Sequence, residues 1–181
     1  MRLFLGIELP QEIKTKISKM TGILGSHAGW VHPHDLHLTL LFIGESSRMD
    51  LHEIIQRFEK IRQKKFFIQI TGLEFFSRRI LYMKTQPCLE LNQLKKKIDS
   101  EFYLWRDLQT KDFIPHITIK RWQRHEYDEL KKLVQSFEWY PESFEVKYLT
   151  LFESRLDNHQ RYHPIYRLKL QDDDNHQMYH N

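Results

Sequence analysis

The stretch HLTLLFIG, residues 37–44, and the stretch HITIKR, residues 116–121, decide how this chain is read. Each opens on a histidine, places a threonine two residues later, and lies in an apolar run rich in strand-forming residues. Side chains alternate faces along a strand, so His37 shares a face with Thr39, and His116 with Thr118. A strand rise of about 3.3 Å then sets each imidazole about 7 Å along the chain from its hydroxyl. Strict alternation continues the His37 face with Leu41 and Ile43, and sends Leu38, Leu40 and Phe42 into a core. In the second strand Ile117 and Ile119 oppose His116. A single histidine in an apolar strand is more often packing than chemistry. The same pair twice, in matching strands, points to two halves of one site.

Working outward, residues 2–9 alternate as a strand, and Ile13, Ile17, Met20 and Leu24 then recur at helical spacing up to Gly25. After the first histidine strand, Ser47 and Asp50 form a helix start ahead of the stripe Leu51, Ile54, Ile55, Phe58 and Ile61. Residues 65–76 and 79–84 read as strands joined by a short turn. The theme repeats. Leu91, Leu94, Ile98, Phe102 and Trp105 share a helical face before the second histidine strand, and Tyr127, Leu130, Val134 and Phe137 share one after it. Residues 144–155 and 162–170 supply two more strands. The order is βαβαβ followed by βαβαββ, a duplication in pattern of which only the HxTx tetrapeptides survive as sequence. Without a Gly-rich loop after the first strand, and with strands joined by short turns, the expected class is α+β with antiparallel sheets and helices outside.

The 181 residues carry 40% hydrophobic side chains, enough for a packed core and not the composition of a disordered chain. The formal charge of +4 is only mildly basic. The one cysteine, Cys88, excludes an intrachain disulfide and a four-cysteine zinc site, and fits a reducing cytoplasm. MRLFLGIELP reads as a strand interrupted by Glu8, not as a signal peptide, and no segment reaches the roughly 18 apolar residues that span a bilayer. Residues 1–170 are expected to form a single unit and residues 171–181 a polar tail.

If the two HxT strands lie together, they line a cavity with two imidazoles and two hydroxyls. Imidazole titrates near neutrality, so one can take a proton while the other gives one. Threonine hydroxyls can donate to an oxyanion, and Lys120 and Arg121 stand close enough in sequence to add positive charge. The set suits in-line attack on phosphorus and asks for no metal or other cofactor.

HLTLLFIGE and FIPHITIKR resemble the paired motifs of the 2H phosphoesterase superfamily. MRLFLGIELP, the W…HPHDLHLTL spacing, RILYMK and LTLFESRL are similar to its bacterial branch, the RNA 2′,3′-cyclic phosphodiesterases also described as 2′–5′ RNA ligases. The likeness runs from residue 1 to about 170, and the second motif follows the first by 79 positions. The resemblance implies a bilobal, pseudo-twofold fold with the site in the cleft between lobes. It implies hydrolysis of 2′,3′-cyclic phosphate RNA ends to 2′-phosphomonoesters. It further implies His37 as proton donor to the leaving 3′ oxygen, His116 as proton acceptor from water, and Thr39, Thr118 and Arg121 as phosphate-binding residues. Separately from the resemblance, the protein is expected to be a cytoplasmic monomer. Arg121 lies at an odd offset from His116, so a bulge or strand end has to turn it into the cleft. The branch often has glycine before its late tyrosine, where this chain has His159 and Gln160. Rival readings are a hydrolase of small cyclic nucleotide derivatives, such as an ADP-ribose cyclic phosphate, and a module that binds an RNA end without turnover.

The remaining features carry blander readings. His32, His34 and His37 suggest a metal site, which Pro33 argues against. Lys95, Lys96 and Lys97 read as a solvated helix face. Arg78, Arg79, Phe75 and Phe76 flank a turn that could meet a terminal base, with only one of the two phenylalanines facing a core. Cys88 has no histidine partner in prospect and reads as incidental.

Overall fold

The computed structural model describes residues 1–25, 29–105, 112–122, 127–155 and 160–172. His159 therefore lies outside the described residues, as does most of the tail. The order of elements is β1 (Arg2–Glu8), α1 (Gln11–Ile23), a 3-10 turn (Pro33–Asp35), β2 (His37–Glu45), α2 (Arg48–Phe58), β3 (Phe66–Phe76), β4 (Ile80–Thr85), α3 (Leu89–Glu101), β5 (His116–Arg121), α4 (Tyr127–Ser136), β6 (Glu142–Val146), β7 (Tyr148–Ser154) and β8 (Tyr162–Lys169).

The strands form two four-stranded sheets, β2-β1-β7-β8 and β5-β4-β3-β6. Every pairing between them is antiparallel, as the short turns require. The fold is α+β and pseudo-twofold: β2 and β5, the histidine strands, are the corresponding edge strands. Each repeat sends its last long strand into the other repeat's sheet. Thus β3 lies beside β4, and β7 lies beside β1.

Residues 144–155 read as a single strand but divide at Lys147 into β6 and β7, which belong to different sheets. The alternation of Phe144, Val146 and Tyr148 with Glu145 and Lys147 runs on across the break, so its periodicity carries no mark of the crossover. Helix α3 is also shorter than its apolar stripe. It ends at Glu101, and Phe102 caps it with φ −108° while remaining fully buried. Trp105 instead lies beneath the Arg57 guanidinium, 5.1 Å from the ring centroid.

The other helices follow their stripes. Ile13, Ile17 and Met20 of α1, Ile54 and Phe58 of α2, and Leu91, Leu94 and Ile98 of α3 join Leu38, Leu40, Ile117 and Ile119 in one continuous core. Helix α2 begins with the expected reciprocal cap: the Asp50 amide donates to Ser47 Oγ at 3.2 Å, and the Ser47 amide donates to Asp50 Oδ2 at 2.6 Å. At the other end of the chain, the Lys65 amide donates to the Gln171 carbonyl and the Gln171 amide to the Gln63 carbonyl, both at 2.9 Å.

A strap joins the two sheets. Residues 29–31 run antiparallel to the free edge of β5, with Val31 N–H donating to the Ile119 carbonyl at 2.8 Å and Arg121 N–H to the Gly29 carbonyl at 3.1 Å. Gly29 has φ +90°, and a Cβ there would sit 2.3 Å from the Arg121 carbonyl oxygen. Only glycine fits this approach.

Candidate functional site

The histidine strands share a burial pattern because they share a bulge. In β2, Thr39 pairs with Gly6 and Leu41 with Leu5, which leaves Leu40 as the extra residue. In β5, Thr118 pairs with Tyr82 and Lys120 with Leu81, which leaves Ile119 as the extra residue. A bulge resets the alternation by one. Leu40 and Leu41 are therefore both buried, as are Ile119 and Lys120. The residues after them, Phe42 and Arg121, return to the face of the histidines.

This corrects the alternation expected for β2: Leu41 and Ile43 belong to the core, and Phe42 lines the cleft with 65% of its surface exposed. It also gives Arg121 the turn that its odd offset demands. Lys120 moves the other way. It is 1% exposed, with its ammonium 4.8 Å from the Trp30 ring centroid, and it does not line the cleft.

His37, Thr39, His116, Thr118 and Arg121 line one cavity of about 120 Å³, together with Val31, Asp35, Phe42 and Tyr162. A larger surface depression, about 560 Å³, is lined by Met1, Ser46, Ser47, Arg48, Leu51, Glu153 and Arg155. It shares no residue with the cleft and holds no histidine.

The two imidazoles are held alike. His37 Nδ1–H donates to the Asp35 carbonyl at 2.7 Å, and His116 Nδ1–H donates to the Ile114 carbonyl at 2.8 Å. In each case the acceptor lies two residues earlier on the chain. A backbone acceptor on Nδ1 fixes the neutral tautomer and leaves Nε2 as the nitrogen for proton transfer. Thr39 Oγ1 lies 3.0 Å from His37 Nε2, so the neutral ring accepts the hydroxyl proton.

Aromatic rings enclose both imidazoles. Phe4, Phe152 and Tyr162 surround His37 with centroids at 4.9, 5.7 and 4.7 Å. Phe76 and Tyr82 meet His116 edge-on at 4.8 and 5.5 Å. Burial in this apolar surround pushes the His37 pKa down to about 4, against upward contributions from Asp35, while the His116 and Arg121 charges push the same way as burial. His116 is also lowered, first by burial and then by Arg121. Both rings are therefore neutral in the free protein near pH 7.

Other sequence candidates lie elsewhere. Of the adjacent phenylalanines, Phe76 turns to His116 while Phe75 packs edge-on to Trp122 and Tyr127. Arg78 lies over the Tyr127 ring. The His32 and His34 rings stack at 4.9 Å, and among the described residues no three His, Cys, Asp or Glu side chains are grouped to hold a metal. Lys95 pairs with Asp99, and Lys97 donates to the Arg62 carbonyl and Gln63 Oε1, so this face is partly committed to structure. Burial raises the Cys88 thiol pKa, which makes it a poor nucleophile. Sequence reasoning passed over Asp35, Phe42 and Tyr162. Aligning the two motifs residue by residue finds Phe42, because it matches Arg121.

Two curled antiparallel sheets that present paired His-x-Thr strands to a common cleft define a 2H phosphoesterase fold. Residues 9–158 match the 2′-5′ RNA ligase superfamily, and the chain belongs to that family. The RNA 2′,3′-cyclic phosphodiesterase of Methanocaldococcus jannaschii is 30% identical over 168 residues, covering 86% of this chain and 92% of its own. That of Thermotoga maritima is 27% identical over 165 residues, covering 86% and 88%. Among solved structures, apo LigT of E. coli is similar with a TM-score of 0.76 and 28% identity, covering 93% of this chain and 96% of its own. LigT is also solved in complex with 3′-AMP, ATP and NADP+. Among the described residues no helix is long and apolar enough to cross a membrane.

Proposed function

We propose that this protein is a phosphoesterase that hydrolyses 2′,3′-cyclic phosphate ends of RNA to 2′-phosphomonoesters, using His37 and His116 as acid and base. The observation that carries the reading is the convergence of both imidazoles, both threonines and Arg121 on one small cleft. The names of the relatives agree with it.

The steps follow from the groups. The cyclic phosphate anion lies between the strands, with the Thr39 and Thr118 hydroxyls and the Arg121 guanidinium on its non-bridging oxygens. His116 Nε2 takes a proton from water as the water oxygen bonds to phosphorus. The bond from phosphorus to O3′ breaks, and His37 Nε2–H gives its proton to the departing oxygen. The product is a 2′-phosphate beside a free 3′ hydroxyl. His37 takes up the proton it donates from solvent as the phosphate anion binds, and His116 afterwards releases its own to solvent, so both rings return to the neutral state of the free protein. Protonation of His37 also releases Thr39: Nε2–H no longer accepts, so the hydroxyl proton turns to the phosphate.

The direction of attack has its own support. Phe42 and Tyr162 belong to the same sheet as His37 and offer ring surface to a nucleoside. The leaving oxygen, which stays attached to that nucleoside, then falls to His37, and water falls to His116. Hydrolysis of a smaller cyclic nucleotide derivative is a second reading, favoured by the complexes of LigT with ATP and NADP+.

Incubation with 2′,3′-cyclic AMP in EDTA tests the proposal. Release of 2′-AMP is expected. Release of 3′-AMP would reverse the bond assignment, and tight binding with no product over hours would make the protein a binding module.

A further inference from the structure

Asp35 ends the 3-10 turn two residues before His37, and it acts in two directions. Its carbonyl accepts from Nδ1–H of His37 at 2.7 Å. Its carboxylate reaches a segment more than a hundred residues away, where Oδ1 accepts from the amides of Arg161 and Tyr162, both at 3.0 Å. Tyr162 then stands edge-on to the His37 ring, with 4.7 Å between centroids and 76° between planes.

Tyr162 is the first residue of β8, paired with Ser154 at the last position of β7. A strand end has few ladder bonds to hold it, and strand ends fray. This one is held from just past β7, by the Arg155 amide donating to the Arg161 carbonyl at 2.8 Å, and from β1, by Phe4 packing edge-on to Tyr162 at 5.2 Å, and two side chains add to that. Gln160 Nε2 donates to the Tyr162 carbonyl at 2.8 Å, and the Asp35 carboxylate takes the two successive amides. Hydrogen bonds to an ionised acceptor are roughly twice as strong as neutral ones. Tyr162 lines the cleft, so its place decides the shape of the wall beside His37.

We infer that Asp35 is a positioning residue that locks His37 and Tyr162 to one another, and that Tyr162 is a substrate-contacting wall of the cleft. The substrate contact rests on the phosphodiesterase reading; the lock does not. One residue sets the imidazole from its backbone and the phenol ring from its side chain, so movement of the turn displaces both. Asparagine at this position keeps an oxygen for the two amides, whereas alanine removes it.

The test uses the full chain. NMR of the wild type should show nuclear Overhauser contacts between the ring protons of Tyr162 and His37. Asp35→Ala should lose these contacts and lower kcat/KM for 2′,3′-cyclic AMP by about 10²-fold, the scale expected when a reacting group is displaced by about 1 Å. Asp35→Asn should restore both, which a general loss of stability would not produce. Tyr162→Ala, with Asp35 intact, should raise KM far more than it lowers kcat. Unchanged ring contacts and kinetics in Asp35→Ala overturn the lock, and an unchanged KM in Tyr162→Ala overturns the wall. If Asp35→Ala does not fold, Asp35→Ser, whose shorter side chain does not reach both amides, replaces it: loss of the ring contacts supports the lock and their retention overturns it. A wild type with no turnover of the cyclic nucleotide defeats the functional reading, and the ring contacts then still decide the lock.

Discussion

Phe42 of β2 and Arg121 of β5 occupy the same place in a duplicated strand, five residues after a histidine and just past a bulge. The site is symmetric in its imidazoles and hydroxyls, and here the symmetry breaks. One strand ends its motif on a ring and the other on a cation. Under the proposed function an anion with an attached nucleoside has a preferred way round, phosphate toward Arg121 and base toward Phe42.

Arg121→Ala should lower kcat/KM by about 10- to 100-fold, since a hydrogen bond to a charged group is worth about 1.5–3 kcal/mol. Phe42→Ala should weaken only substrates that carry a base, by up to about the 1–3 kcal/mol of a stacked base. Steady-state kinetics on 2′,3′-cyclic AMP and on a baseless cyclic phosphate diester separate the two. Equal losses of Phe42→Ala on both substrates would remove the ring from base recognition.

His37→Ala and His116→Ala should each cost about 10²–10⁴-fold in kcat while the protein stays folded. The double variant should be little worse than either single one, because the two rings serve one transition state. Thr39→Ala and Thr118→Ala should cost less. Rapid-quench measurement of 2′-AMP formation reads all five, and a wild-type rate in either histidine variant would make that residue structural.

Much of this was legible in the sequence. A helix declares itself through its stripe, as in Ile13, Ile17 and Met20, and the HxT pairs declare a shared face because neighbours two apart in a strand must point together. The bulges were not legible, because Leu40 and Ile119 are as apolar as the residues around them. Nothing in their chemistry says that one is extra. The division at Lys147 was hidden because the alternation of apolar and polar residues runs straight through it. Asp35 and Tyr162 meet across more than a hundred residues, so no local pattern could pair them.

Acid should destabilise the fold through His37. Its folded pKa is near 4, below the ordinary 6.5, so between those values the unfolded chain binds the proton and the native chain does not. Stability from this group is full above about pH 6.5 and is lost progressively as pH falls toward 4, by about 3 kcal/mol in all. His37→Phe, placed among Phe4, Phe152 and Tyr162, should lose correspondingly less. Denaturant unfolding of both proteins at pH 7 and pH 4.5 makes the comparison, and parallel losses would place the acid sensitivity elsewhere. In activity, both histidines are shifted downward, so the bell of kcat/KM for the free enzyme should peak below pH 6.5.

The strap over β5 sets the backbone of Arg121. Gly29 accepts from the Arg121 amide at 3.1 Å and leaves no room for a Cβ, which would lie 2.3 Å from the Arg121 carbonyl oxygen. Backbone cannot swing aside as a flexible side chain can, and φ +90° is strained for alanine in any case. Gly29→Ala must therefore push the strap off β5 or shift the backbone of Arg121. Either movement loosens the guanidinium while His37, on the other sheet, keeps its bonds to Asp35 and Thr39. The expected signature is a fall in kcat/KM that resembles Arg121→Ala, and a double variant no worse than Arg121→Ala alone. A double-mutant cycle on 2′,3′-cyclic AMP reads it. If the two losses simply multiply, Gly29 holds the fold without setting the arginine, and the strap is a structural tie between the sheets.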